Sequence, residues 1–196
     1  GVVKHDYFAG RDPVYDPKPA YLAATALTAR LAGFRFERHY DTYDLDARLK
    51  KHLDFKPDIV VVAIGENVPA LVSEDAKTRF EASFLRLLRA LKSSGQPDIF
   101  VRSCFWPNKA KDDIMRKSCK AVGGVFVDIS GLGKDASNYA RSERSFAHPG
   151  VAAHPGDKGM KAIAGALLRA IRSEARDWSK GRPKWHRVNG HNPAMY

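Results

Sequence analysis

Asp58-Ile59-Val60-Val61-Val62-Ala63-Ile64-Gly65-Glu66-Asn67-Val68-Pro69 is the stretch that decides the fold class of this 196-residue chain. Residues 58–64 form a nearly continuous β-branched run, the signature of a strand covered on both faces. Gly65 ends it with a turn. Downstream, Ser73–Lys92 places Phe80, Phe84, Leu87, Leu88 and Leu91 on one helical stripe. Pro97 precedes a strand over Asp98–Phe105. A helix over Lys109–Ala121 stops at Gly123-Gly124, and Val125–Ile129 reads as another strand. The last helix, Asp157–Arg176, turns Met160, Ile163, Leu167 and Ile171 inward.

Upstream, residues 1–18 are an irregular lead-in. Pro19–Ala32 has helical composition, with Pro at its start and Gly33 just past its end. Phe34–Arg38 alternates at period two and predicts a half-buried strand. Asp44 can cap a helix in which Leu45, Leu49 and Leu53 share a face. Strands alternating with helices in this way predict an α/β protein, a three-layer α/β/α sandwich around a mostly parallel, doubly wound, flavodoxin-like sheet. Residues 1–176 are expected to form a single domain, and 177–196 a basic C-terminal tail.

Composition narrows the classes further. Lys and Arg number 33 against 22 Asp and Glu, a formal net charge of +11. An anionic partner is the first thought. Yet residues 167–196 hold seven of the cations and two of the acids, so nearly half of the excess is terminal. Trp178–Arg187 interleaves aromatics with charge, but no nucleic-acid motif accompanies it, and a nucleic-acid partner is not expected. Apolar runs fall well short of the roughly twenty residues that a membrane-spanning helix needs. Cys104 and Cys119 form either one disulfide or two buried thiols, not a four-ligand zinc site. Gly1 opens without an initiator Met or a signal-peptide pattern, so the text is expected to begin after a processed or missing segment.

Ligands of parallel sheets sit beyond the strands' carboxyl ends. There, Gly65-Glu66-Asn67 allows a close backbone approach and presents an amide donor suited to a developing oxyanion; a plain turn capped by Asn67 is the alternative. After the next strand comes Phe105-Trp106-Pro107-Asn108. Trp106 could wall a pocket or pack into the rim, and Arg102 could bind an anion or lie at the surface. Before the last helix lies His148-Pro149-Gly150-Val151-Ala152-Ala153-His154-Pro155-Gly156-Asp157-Lys158-Gly159-Met160. His154 is suited to take and return a proton near neutral pH. Asp157 is expected to N-cap the helix. His148 and His154 lack a clear third partner for a metal, and neither metal nor cofactor is expected.

Jointly, these blocks resemble the SGNH (GDSL-like) hydrolases, and in particular a bacterial subgroup with Gly-Glu-Asn-Val-Pro and His-Pro-Gly-Asp-Lys-Gly-Met wording. The resemblance in element order runs from Pro19 to Arg172. It implies a serine esterase acting on a small acyl ester, such as carbohydrate O-acetyl groups. His154 would be general base and acid, Asn67 and Gly65 would hold the oxyanion, and Glu66, Trp106 and Arg102 would flank the substrate. It also favours an exported location, periplasmic or secreted.

The chain departs from the family in two ways. The family's nucleophilic Ser follows a first strand, but here no Ser precedes Ser73, so that strand is expected to be absent or to lie upstream of Gly1 and the nucleophile is unknown. The Asp that the family carries three residues before its His is Val151 here. A non-hydrolytic SGNH-like protein that binds glycans or acidic polymers is the alternative these losses raise.

Overall fold

The computed structural model describes residues 32–54 and 56–179. The first eighteen residues, all of the expected Pro19 helix except Ala32, and the tail from Lys180 onward lie outside them.

Residues 32–38 are helical. The wholly described elements follow as α1 Leu45–Leu53, β1 Ile59–Val62, α2 Glu74–Ser93, β2 Asp98–Arg102, α3 Lys109–Ala121, β3 Val125–Val127, three single 3-10 turns between Leu132 and Ser142, α4 Pro149–Ala152 and α5 Asp157–Ser179. This is a mixed α/β arrangement around a three-stranded parallel sheet in the order β1-β2-β3. That order runs in one direction, so the reversal of a doubly wound sheet is not among the described strands.

Local chemistry explains the helix starts. Asp44 accepts from Ala47 N at 3.1 Å, Ser73 Oγ from Ala76 N at 3.1 Å, and Asn108 Oδ1 from Lys111 N at 3.2 Å. Each side chain satisfies an amide that the first helical turn leaves without a partner. Glu74 and Asp75 add negative charge at the positive end of α2.

The pleat divides the core in two. Val62, Ile99 and Val101 face α2 and α3, where Phe80, Phe84, Leu88, Met115 and Cys119 are fully enclosed. Phe100 and Val127 point the other way and meet Ile163, Leu167 and Ile171 of α5. Cys104 and Cys119 are both buried and unbonded. No helix of the described residues is long and apolar enough to cross a membrane.

Three expectations fail. Phe34–Arg38 is helical rather than extended. Phe36 and its neighbour Glu37 are both buried while Phe34 is 47% exposed. Adjacent residues sit about 100° apart on a helix and can share a buried face, which a strand's alternation forbids. Second, among the described residues β1 is not covered on both faces: Ile59 and Val61 are 36% and 43% exposed. In register, Val61 stands beside Phe100, but α5 covers the β2–β3 side and no other described element lies over this part of the face. Third, Asp157 does not cap α5. It is the helix's first residue, and Glu143 supplies the cap from fourteen residues upstream, accepting from Asp157 N at 2.9 Å and Lys158 N at 2.8 Å. The helix also continues through Ser179, three residues into the expected tail.

Asp128, just past β3, accepts from the Ser130 hydroxyl at 2.6 Å and its amide at 3.0 Å, and pairs with Arg116 at 2.9 Å. The Ser130 hydrogen bonds, with help from Arg116, hold its carboxyl down from 3.8 to about 2. A depressed carboxylate stabilises the fold above its ordinary value and loses that contribution as pH falls through the folded value. Asp128→Asn is therefore expected to lower stability by about 0.5–1 kcal/mol above pH 4, since a half-exposed pair is screened by solvent. Urea midpoints of the two proteins should converge as pH approaches 2; a gap independent of pH would contradict this.

Candidate functional site

The turn after β1 is built around Gly65, whose φ of +127° lies where side chains are strained. A Cβ there would also lie 2.6 Å from Cys104 Sγ and 3.1 Å from Met115 Cε. Glycine is thus required twice, for conformation and for space.

Opposite charges grip the turn's backbone from two sides. Glu37, 4% exposed, accepts from Gly65 N at 2.6 Å and Asn67 N at 3.3 Å through Oε1, and from Asn67 Nδ2 at 3.0 Å through Oε2. Lys111, equally buried on α3, donates its ammonium to the carbonyls of Gly65 at 3.1 Å and Val68 at 2.5 Å. Burial raises the Glu37 carboxyl, and neighbouring Glu66 adds to the rise, while the Asn67 and Gly65 hydrogen bonds oppose it.

Glu66 and Arg102 prove to be partners across the ends of β1 and β2. Glu66 Oε1 lies 2.6 Å from Arg102 Nη1 and accepts from Phe105 N at 3.0 Å. Their side chains are 11% and 14% exposed. Burial pushes Glu66 upward, but the Arg102 charge and the hydrogen bonds outweigh it, so the carboxyl lies below its ordinary value. Arg102 also donates to Ser103 O at 2.8 Å. It is not a surface residue, and its Nη1 is engaged by the Glu66 carboxylate and the Ser103 carbonyl. The Gly65 amide, expected to help an oxyanion, is likewise committed to Glu37.

His154 stands in the loop before α5. Its Nδ1 lies 2.5 Å from Gly150 O. A carbonyl only accepts, so Nδ1 carries the hydrogen and the neutral ring has its lone pair on Nε2. Trp106 packs edge-on against the imidazole, with centroids 5.1 Å apart, and its Nε1 donates to Ala153 O at 3.2 Å. His154's own carbonyl accepts from Ala140 N at 2.8 Å. Val151, three residues before His154, is a buried apolar residue. The glycines around this loop are there for space: a Cβ on Gly156 would meet the Glu143 carboxylate at 2.5 Å, and one on Gly159 the Asn138 carbonyl at 2.2 Å.

Phe105-Trp106 joins the two loops, since Glu66 holds the Phe105 amide and Trp106 holds the His154 ring. Asn67 and His154 thus belong to one chain of contacts at the carboxyl end of the sheet. Glu37, Lys111 and Glu143 are the residues that sequence reasoning missed. Glu37 sat inside a misread strand, and nothing in a lone Lys or Glu signals burial.

Cys104 is no candidate nucleophile, because burial, then the charges of Glu66 and Asp112, pushes its thiol far up. Burial raises Cys119 to about 11. His148 is occupied as the cap of α4, accepting from Gly150 N at 3.0 Å through Nδ1. Among the described residues no group of three or more His, Cys, Asp or Glu converges to hold a metal ion. An open groove of about 690 Å³ runs between the end of β3 and α5, with Lys158, Lys161 and Arg169 over Leu132, Ala162 and Leu168.

Comparison with family models, curated proteins and solved structures yields no match to this chain.

Replacing Arg102 with Met should destabilise the protein by about 3–5 kcal/mol, because it strands an ionised, buried Glu66. Combining Arg102→Met with Glu66→Gln should recover most of that loss while keeping an acceptor for the Phe105 amide. Denaturant titrations of the three proteins read this directly; additive losses in the double variant would show that the pair is not coupled.

Proposed function

We propose that this chain is an SGNH-type serine esterase of flavodoxin-like α/β/α architecture, acting on a small acyl ester such as a carbohydrate O-acetyl group. The observation that carries the reading is the His154 imidazole, whose Nδ1 hydrogen is held by the Gly150 carbonyl, the tautomer in which Nε2 is the basic nitrogen. A backbone carbonyl takes the orienting role that a carboxylate has in the usual triad.

In the proposed reaction a serine Oγ bonds to the ester carbonyl carbon as its proton passes to Nε2. The carbonyl π electrons move onto oxygen, and an Asn67 amide hydrogen donates to that oxyanion. Collapse breaks the bond to the leaving alcohol, which takes the proton from Nε2, and water then repeats the sequence on the acyl-serine. The nucleophilic serine is not assigned to a residue of this chain. Trp106 supports the base as a rim residue, and Glu66 with Arg102 supports the loops rather than touching substrate.

Steady-state hydrolysis of p-nitrophenyl acetate tests the reading. His154→Ala should lower kcat/KM about 10²–10⁴-fold, and a fluorophosphonate probe should label one serine, located by peptide mass. Equal turnover by both proteins, or no turnover and no label, would sink the assignment.

The cationic groove favours a second reading, an SGNH-like protein that binds glycans or acidic polymers without hydrolysing them. Its three cations lie along one face of α5 and can follow a linear polyanion. Under that reading Lys161→Glu with Arg169→Glu elutes from heparin at clearly lower salt than the parent. Unchanged elution would leave the groove without this role.

A further inference from the structure

We infer that Glu37 is a positioning residue that sets the orientation of the Asn67 carboxamide, so that this side chain offers a hydrogen and not a lone pair to the oxyanion. The inference rests on the esterase reading and adds a group from the helical residues 32–38, 30 residues upstream of the turn residue it orients.

The argument is one of donors and acceptors. A side-chain amide has an acceptor oxygen and a nitrogen with two hydrogens, and a 180° rotation about its last bond exchanges them. In Asn67, Nδ2 lies 3.0 Å from Glu37 Oε2. When ionised, the form that the hydrogen bonds from Gly65 and Asn67 favour against burial, the Glu37 carboxylate accepts only. The rotated amide would set Oδ1 against Oε2, oxygen against oxygen, in a place where Glu37 is 4% exposed and water is scarce. The orientation is therefore locked, with one Nδ2 hydrogen on Glu37 and the second available.

Glu37 Oε1 independently holds the Gly65 and Asn67 backbone amides, at 2.6 Å and 3.3 Å, so the backbone that carries the carboxamide is fixed by the same carboxylate. Lys111 holds that turn from its carbonyl side. Glu37 itself does not touch substrate; it acts through Asn67.

Glu37→Gln separates the two duties. The Gln oxygen can still accept both backbone amides, so the turn persists. Its NH2 group, however, now faces Asn67 where Oε2 stood, and two NH2 groups in contact drive Asn67 to rotate and present Oδ1.

The expected result for Glu37→Gln is a 10–100-fold loss of kcat on p-nitrophenyl acetate, KM unchanged, with a melting temperature near the parent's. Because the effect runs through Asn67, Asn67→Ala and the double variant Glu37→Gln/Asn67→Ala should be equally slow. In the parent protein, one Asn67 side-chain amide proton should resonate downfield of its geminal partner, and this separation should shrink in Glu37→Gln. Parent-like kcat in Glu37→Gln, additive losses in the double variant, or Asn67 amide protons without the downfield member in the parent would each overturn the inference while leaving the esterase reading intact. A parent with no turnover and no probe labelling would instead overturn the esterase reading, and this inference with it.

Discussion

A buried carboxylate and a buried ammonium hold the Gly65 turn between them, and the rest of the site depends on that grip. Glu37 takes the turn's N–H groups and Lys111 its carbonyls. Leaving either set without partners in the interior would cost about 1–3 kcal/mol per group. Gly65 takes the positive φ without strain and leaves to Cys104 and Met115 the space that a side chain would fill. The helical residues 32–38 and α3 then fix the turn through Glu37 and Lys111.

From this turn the order spreads along the carboxyl ends of the strands. Glu66 reaches across to Arg102 and to the Phe105 amide, which seats Trp106, and Trp106 in turn packs against His154. On the far side, Glu143 and Asn138 tie the His154 loop to the start of α5. The buried charges of this end of the sheet, Glu37, Glu66, Arg102 and Lys111, each have a partner in a different segment. Through Phe105-Trp106 the blocks Gly65-Glu66-Asn67 and His154–Met160, about ninety residues apart in the chain, are linked by contacts.

Much of the architecture was legible beforehand, and particular residues show why. α2 and α3 carry long 3.6-residue stripes and polar caps, Ser73 and Asn108, so their ends match the expected ones closely. β2 and β3 stand where short apolar runs placed them, each a few residues shorter. Phe34–Arg38 was misread because five residues fit either period, and the distinguishing fact, burial of both Phe36 and Glu37, is tertiary. Arg102 and Glu66 looked like two functional side chains in separate loops. Only folding shows that each is the other's counter-charge.

Residue type and spacing alone determined the alternation of strands and helices, the glycine turn after β1, and the chemical character of Asn67 and His154. These follow from local rules of periodicity, capping and side-chain chemistry, which need no knowledge of distant neighbours. The tertiary structure alone decided which polar groups are partners. It set Glu37 against Asn67, Lys111 against the Gly65 carbonyl, and Glu143 over the start of α5. The reason is that electrostatic and hydrogen-bond complementarity acts through a few ångströms of space, and pairs separated by fourteen to forty-six residues leave no mark on the local sequence.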